Sequence, residues 1–104
     1  MKIEETKEFF WTKHAMAKMV FYGLTPNRVK KIFRAPDRTE EGIAPGTVAM
    51  MQRVGKEKRQ TEIWVMWQKG KSGQKKIIAA WRYPGISPKK EIPIPPEILA
   101  ELKK

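Results

Sequence analysis

Apolar side chains recur at helical spacing through the segment WTKHAMAKMVFYGLTPNR, Trp11 to Arg28. At about 100° per residue, Ala15, Met16, Met19, Val20 and Tyr22 gather within half the circumference, which predicts a helix with these side chains toward a core. Thr12 is placed to cap the first turn, Trp11 and Met16 to pack across it, and Gly23 to end it. A second start follows at once. Thr25 caps, Pro26 takes the first helical position, where no N–H is needed, and NRVKKIFR runs to the Ala35-Pro36 boundary. Val29, Ile32 and Phe33 form its apolar stripe, and two short helices joined this tightly make a helical hairpin or corner.

The period then changes. Asp37 to Gly46, DRTEEGIAPG, reads as an acidic loop. Thr47–Val54 (TVAMMQRV), Thr61–Gln68 (TEIWVMWQ) and Lys75–Tyr83 (KKIIAAWRY) are rich in β-branched and aromatic residues and read as strands. Their connectors, GKEKRQ and KGKSGQ, are short, polar and Gly-bearing, so an antiparallel meander is expected, with Phe9–Trp11 as a fourth strand at one edge. Strict alternation along the last strand puts Arg82 on a face with Lys76, Ile78 and Ala80, and Trp81 and Tyr83 on the other with Ile77 and Ala79. From Pro84 the chain reads PGISPKKEIPIPP, too Pro-rich for a central strand and suited to an extended arm. Pro95-Pro96 start a terminal helix, EILAELKK, whose Ile98, Leu99 and Leu102 are expected to dock on the body. The expected fold is α+β: residues 1–83 as two N-terminal helices on a three- to four-stranded antiparallel sheet, and 84–104 as a Pro-rich arm and terminal helix.

Composition narrows the chemistry. A chain of 104 residues suits one domain, and its 40% hydrophobic content, with four Trp and six Met, can supply a core. Without Cys there is no disulfide, thiol nucleophile or thiolate metal site. No apolar run nears the roughly 20 residues of a membrane span, and MKIEETKEFF lacks a signal-peptide core, so a soluble cytoplasmic protein is expected. One His and one Asp offer no metal-ligand cluster, no phosphate-cradling Gly-rich motif is present, and no cofactor is expected.

Charge changes the picture most. Lys and Arg number 22 against 11 Asp and Glu, a formal net charge of +11. Such a surface attracts polyanions, nucleic-acid phosphates first and acidic proteins by the same field. Phasing gathers Arg28, Lys30, Lys31 and Arg34 on the polar side of the second helix. Arg53, Lys56, Lys58 and Arg59 surround one hairpin, and Lys69, Lys71, Lys75 and Lys76 the other. Arg82 lies between Trp81 and Tyr83, where an arginine can clamp a phosphate while a ring stacks on a base. The competing reading makes these aromatics core and these lysines solvated surface.

The pattern His14-Ala15-x-x-Lys18-Met19-x-x-x-Gly23-Leu24-Thr25, with Val29, Ile32 and Ala35-Pro36 after it, resembles a small bacterial and archaeal domain family of unknown function. Its signature is His-Ala-x-x-Arg-Met-x-x-Arg-Gly-Ile-Ser. That family is similar to the BrnT-like toxins and, through them, to the RelE/ParE superfamily of toxin-antitoxin ribonucleases and gyrase poisons. Ile77-Ile78-Ala79-Ala80-Trp81-Arg82 resembles their closing strand, Ile-Ile-Ser-Ala-Arg-Arg. The resemblance spans Phe9 to Arg82 and implies a RelE-like fold, action on RNA more than DNA, and neutralisation by an acidic antitoxin chain. Lys18, Tyr22 and Trp81 stand where the family carries arginines, which weakens a bidentate phosphate grip there.

Metal-free RNA cleavage needs a proton acceptor for the 2′-OH, a cation for the phosphorane and an acid for the leaving oxygen. His14 is the only side chain with an ordinary pKa suited to such work at neutral pH, although a histidine one turn from Lys18 also reads as a solvated helix-face residue. Arg53 and Arg82 are the candidates for charge stabilisation. Lys18, Arg28, Lys30, Lys31, Arg34, Lys58, Arg59, Lys75, Lys76 and Tyr83 are the candidates for nucleic-acid contact. Three readings follow: a RelE/BrnT-like translation inhibitor or ribonuclease, a non-catalytic nucleic-acid-binding module, and an adaptor for an acidic protein.

Overall fold

The threonines at the two predicted helix starts act as the sequence suggests. In the computed structural model, which describes residues 8–89 and 91–102, Thr12 Oγ1 accepts from Ala15 N at 3.1 Å and Thr25 Oγ1 from Arg28 N at 3.1 Å. They open α1 (Lys13–Tyr22) and α2 (Pro26–Arg34). Gly23 closes α1 at φ 69°, so that its N–H reaches Val20 O and the Leu24 N–H reaches Met19 O. A residue with a Cβ would be strained at that φ, and the turn between the helices depends on it.

The strands are β1 (Phe9–Trp11), β2 (Arg38–Glu41), β3 (Thr47–Val54), β4 (Thr61–Lys69) and β5 (Lys75–Pro84), and α3 (Pro96–Leu102) ends the described chain. They form one sheet in the order β1-β5-β4-β3-β2. The fold is α+β, but the sheet differs from expectation in two ways. It has five strands rather than three or four, because Arg38–Glu41, inside the stretch read as a loop, pairs with β3. It is mixed rather than antiparallel, because β1 lies parallel to β5 with Phe9 opposite Lys75 and Trp11 opposite Ile77. The two helices carry the chain from one edge of the sheet to the other, and the meander β2 to β5 brings it back.

Both faces of the sheet are covered. On one, Ala15 and Met19 of α1 and Val29 and Ile32 of α2 bury against Met50, Ile63, Val65, Ile77 and Ala80. On the other, Ile98 of α3, with Ile92, Ile94 and Leu102, covers Met51, Trp64, Met66 and Trp81. Trp64 and Trp81 stack there with ring centroids 6.0 Å apart. A helix as short as α3 has little stability alone, so this apolar contact is what holds it. Lys103 and Lys104, the last residues of the expected terminal helix, lie outside the described residues. Among the described residues no helix is long and apolar enough to cross a membrane.

Two phase expectations fail. Val20, expected in the core, is 82% exposed, because α1 is rotated to turn Lys18 and Tyr22 toward α3. In β5 the pairing skips Ile78, since Met66 lies opposite Ala79 and Trp67 opposite Ile77. This bulge joins Ile77 to the helix-side core with Ala80, while Ala79 and Trp81 face the arm. Thr12 Oγ1 anchors the bulge by donating to Ile77 O at 2.7 Å.

Candidate nucleic-acid interface

The basic residues divide between the two ends of the sheet. At the end where β5 finishes, Arg82 emerges on the helix side and its Nη2 lies 3.5 Å from Tyr22 O, at the C-terminus of α1, where a cation complements the helix dipole. Arg28, in the first turn of α2, donates through Nη1 to Gln52 Oε1 at 2.7 Å. Gln52 is fixed in turn, because its Nε2 donates to Ala35 O at 3.1 Å. Partial burial, and after it the positive charge of Arg82, lowers the pKa of the Arg28 guanidinium. Among the described residues no ion pair is seen for either arginine. Each guanidinium is thus held by a neutral oxygen acceptor, Gln52 Oε1 for Arg28 and Tyr22 O for Arg82.

Lys58 and Arg59 are exposed in the β3–β4 turn at this same end. Lys31 and Arg34 are exposed on α2, as a solvated basic face requires. Tyr83, half-buried, lies on the opposite face of the sheet against Trp81 and its neighbours. Arg82, Tyr83 and Pro84 form one side of a cleft of about 440 Å³, with Glu91 and the prolines of the arm as its other wall.

At the other end Lys75 and Lys30 are drawn over aromatic rings. Their Nζ atoms lie 5.6 and 5.5 Å from the Phe9 ring centroid, and Lys75 is also 5.9 Å from that of Phe33. Such stems cover core aromatics and leave the charged heads outward. Lys76 points to the arm side, where it shares an open depression of about 650 Å³ with Phe10, Gln68, Lys69, Lys71 and Gln74.

The three residues read as a catalytic set are not assembled. Arg53 has the face parity of Met51 and so lies on the arm side, exposed, with its backbone N–H donating to Asp37 Oδ2 at 2.7 Å. Arg82 lies on the helix side. His14 stands in the first turn of α1, eight residues from Tyr22 and therefore about 12 Å along the axis from the carbonyl that meets Arg82. Its Nε2 is buried and without a hydrogen-bond partner among the described residues. Lys18 faces α3, with Nζ 3.8 Å from Glu97 Oε1 and 5.4 Å from the Phe21 ring centroid. Tyr22 OH donates to the same carboxylate oxygen at 3.1 Å. Burial, and then this bond and charge, raise the Tyr22 pKa. That of Glu97 is lowered by its own backbone N–H, by Tyr22 and by Lys18.

The polar residues that hold the arm come from segments to which no such role was given. Arg38 of β2 stacks 5.0 Å from the Trp64 ring centroid and pairs with Glu40 at 3.0 Å. It also donates to Ser87 Oγ at 2.7 Å and Glu91 O at 2.9 Å. Glu62, fully buried, accepts from Trp64 Nε1 and from Ser87 N, each at 3.0 Å. Its alternation with Trp64 and Met66 in TEIWVMW was the available signal of a buried carboxylate. Among the described residues no group of three or more His, Asp or Glu is placed to hold a metal.

The chain matches no protein-family model, no curated protein and no solved structure.

Proposed function

We propose that the protein binds nucleic acid, RNA before DNA, through the basic end of the sheet, in the manner of a RelE/BrnT-type translation inhibitor. The observation that carries this reading is that Arg28 and Arg82, each held by a neutral acceptor, have no carboxylate partner among the described residues, with Lys58 and Arg59 exposed in the turn at the same end of the sheet. A phosphodiester satisfies both cations at once and releases counterions on binding. What favours binding over cleavage is the separation of His14, Arg53 and Arg82. An acidic antitoxin would meet the same cations and compete with RNA for them.

The test is titration of a labelled RNA at increasing salt. Wild-type affinity should fall steeply between about 50 and 200 mM salt, and Arg82→Ala should weaken binding and flatten the log–log salt slope by about one. A salt-independent affinity, or none at all, would remove the reading.

A further inference from the structure

Arg82 belongs to two features. Its guanidinium reaches Tyr22 O at the end of α1, and the residue is also among those that line the cleft under the Pro-rich arm. That cleft is chemically mixed. Its lining combines the basic Arg82, the aromatic Tyr83, the arm prolines and the exposed, acidic Glu91. Its volume of about 440 Å³ falls within the range of small-ligand sites. A polyanion alone does not explain this arrangement, because Glu91 repels phosphate. A nucleotide does, since it carries an anion at one end and N–H donors on the edge of a flat ring at the other.

Building on the nucleic-acid reading, we propose that this cleft takes up one unpaired base and selects it by its hydrogen-bond donors. The phosphate is held by Arg82 with Arg28, the base lies against Tyr83 and the prolines, and the Glu91 carboxylate accepts from the base edge. Guanine offers a ring N–H and an amino group side by side and suits a carboxylate best. Adenine and cytosine offer one amino group. Uracil flanks its single N–H with two carbonyl oxygens that the carboxylate repels. A duplex keeps these edges paired and stacked, so it gains nothing from the cleft. The arm is held in place to serve as this wall, since Arg38 ties down Ser87, Pro88 and the Glu91 carbonyl.

The experiment compares fluorescence anisotropy of an all-uridine RNA octamer, the same octamer with one central guanosine, and a duplex of equal length, all at one salt concentration. The single guanosine should tighten binding about fivefold or more, and the duplex should show no such gain. Glu91→Gln should erase the guanosine preference. Tyr83→Ala should weaken single-strand binding at least about fivefold, the low end of the loss of one stacked base, and Tyr83→Phe should restore it. Because Tyr83 also packs on the core, Glu91→Gln, at an exposed position, is the arm that separates recognition from folding. Equal, salt-dependent binding of all three RNAs would overturn the base-reading cleft and leave nucleic-acid binding standing. Absence of salt-dependent binding would overturn both. Displacement of RNA by polyglutamate, with no base preference, would assign the cleft to an acidic polypeptide instead.

Discussion

Ile98 is the residue on which docking of the terminal helix turns, and Ile98→Ala tests it. Its side chain is fully buried against Trp64, Met66 and Trp81, so truncation removes three carbons from a closed site. Large-to-small changes of this kind cost about 2–5 kcal/mol, depending on how far the site collapses. Collapse is limited here by the two stacked tryptophans below, and α3 contributes seven residues with little helical stability of their own. A loss of about 3 kcal/mol is expected, which lowers Tm by about 12–24 °C for a domain of this size. The assay is urea unfolding followed by far-UV circular dichroism and tryptophan emission together. The variant should also show red-shifted native emission, as Trp64 and Trp81 meet water when the arm loosens. A loss under about 1 kcal/mol with unshifted emission would refute the reasoning, because the arm would then not cover this face in solution.

Three further outcomes follow from particular groups. Glu62→Ala strands two buried donors, Trp64 Nε1 and Ser87 N, at about 1–3 kcal/mol each, so chemical denaturation should show a loss of about 2–6 kcal/mol; a loss below about 1 kcal/mol would refute burial of that carboxylate. Ser72 sits at φ 58° before Gly73 in the β4–β5 turn, so Ser72→Asn, which tolerates that conformation better, should raise stability by about 0.5 kcal/mol in the same assay. The Tyr22–Glu97 contact sets a pH window. The folded pKa of Glu97 lies below its ordinary 4.5, so the contribution is complete above that value and fades as pH falls through the folded one. The folded pKa of Tyr22 lies above its ordinary 10.0, so its contribution is complete below that value and fades as pH rises through the folded one. The stability difference between wild type and Tyr22→Phe should therefore be level at neutral pH and shrink at both extremes.

The parts of the fold written locally were legible. Thr12, Gly23, Thr25 and Pro26 act through groups within a few residues of themselves, and the three long strands announce themselves by composition. What stayed hidden depends on distant partners. Arg38–Glu41 has no apolar alternation, and an edge strand made of charges needs its neighbour before it can be seen as a strand. Alternation predicted the wrong phase for Ile77 because the bulge at Ile78 is a property of two strands together. In the site, Arg28 and Arg82 were legible as cations but not as neighbours at one end of the sheet, since 54 positions separate them and their partners, Gln52 and Tyr22 O, lie on other elements. Arg53 shares the charge of Arg82 and lies on the other face, because Arg53 is in register with Glu62 and Tyr83 while Arg82 is in register with Ile63 and Gln52, a pairing across three strands that no single strand displays.

The bulge at Ile78 has a consequence for how β5 can change. Strand position alternates strictly on either side of it, with Ile77 held by Trp11 and Thr12 on one side and Trp81 held by Trp64 on the other. Removing a single residue between these two anchors would be absorbed by loss of the bulge, with Ile77 still opposite Trp67 and Trp81 still on the arm side, whereas removing two would send Arg82 under the arm and Trp81 toward α1. The middle of β5 therefore tolerates the loss of one residue and not of two, which makes the bulge a reserve of one position in an otherwise strict count.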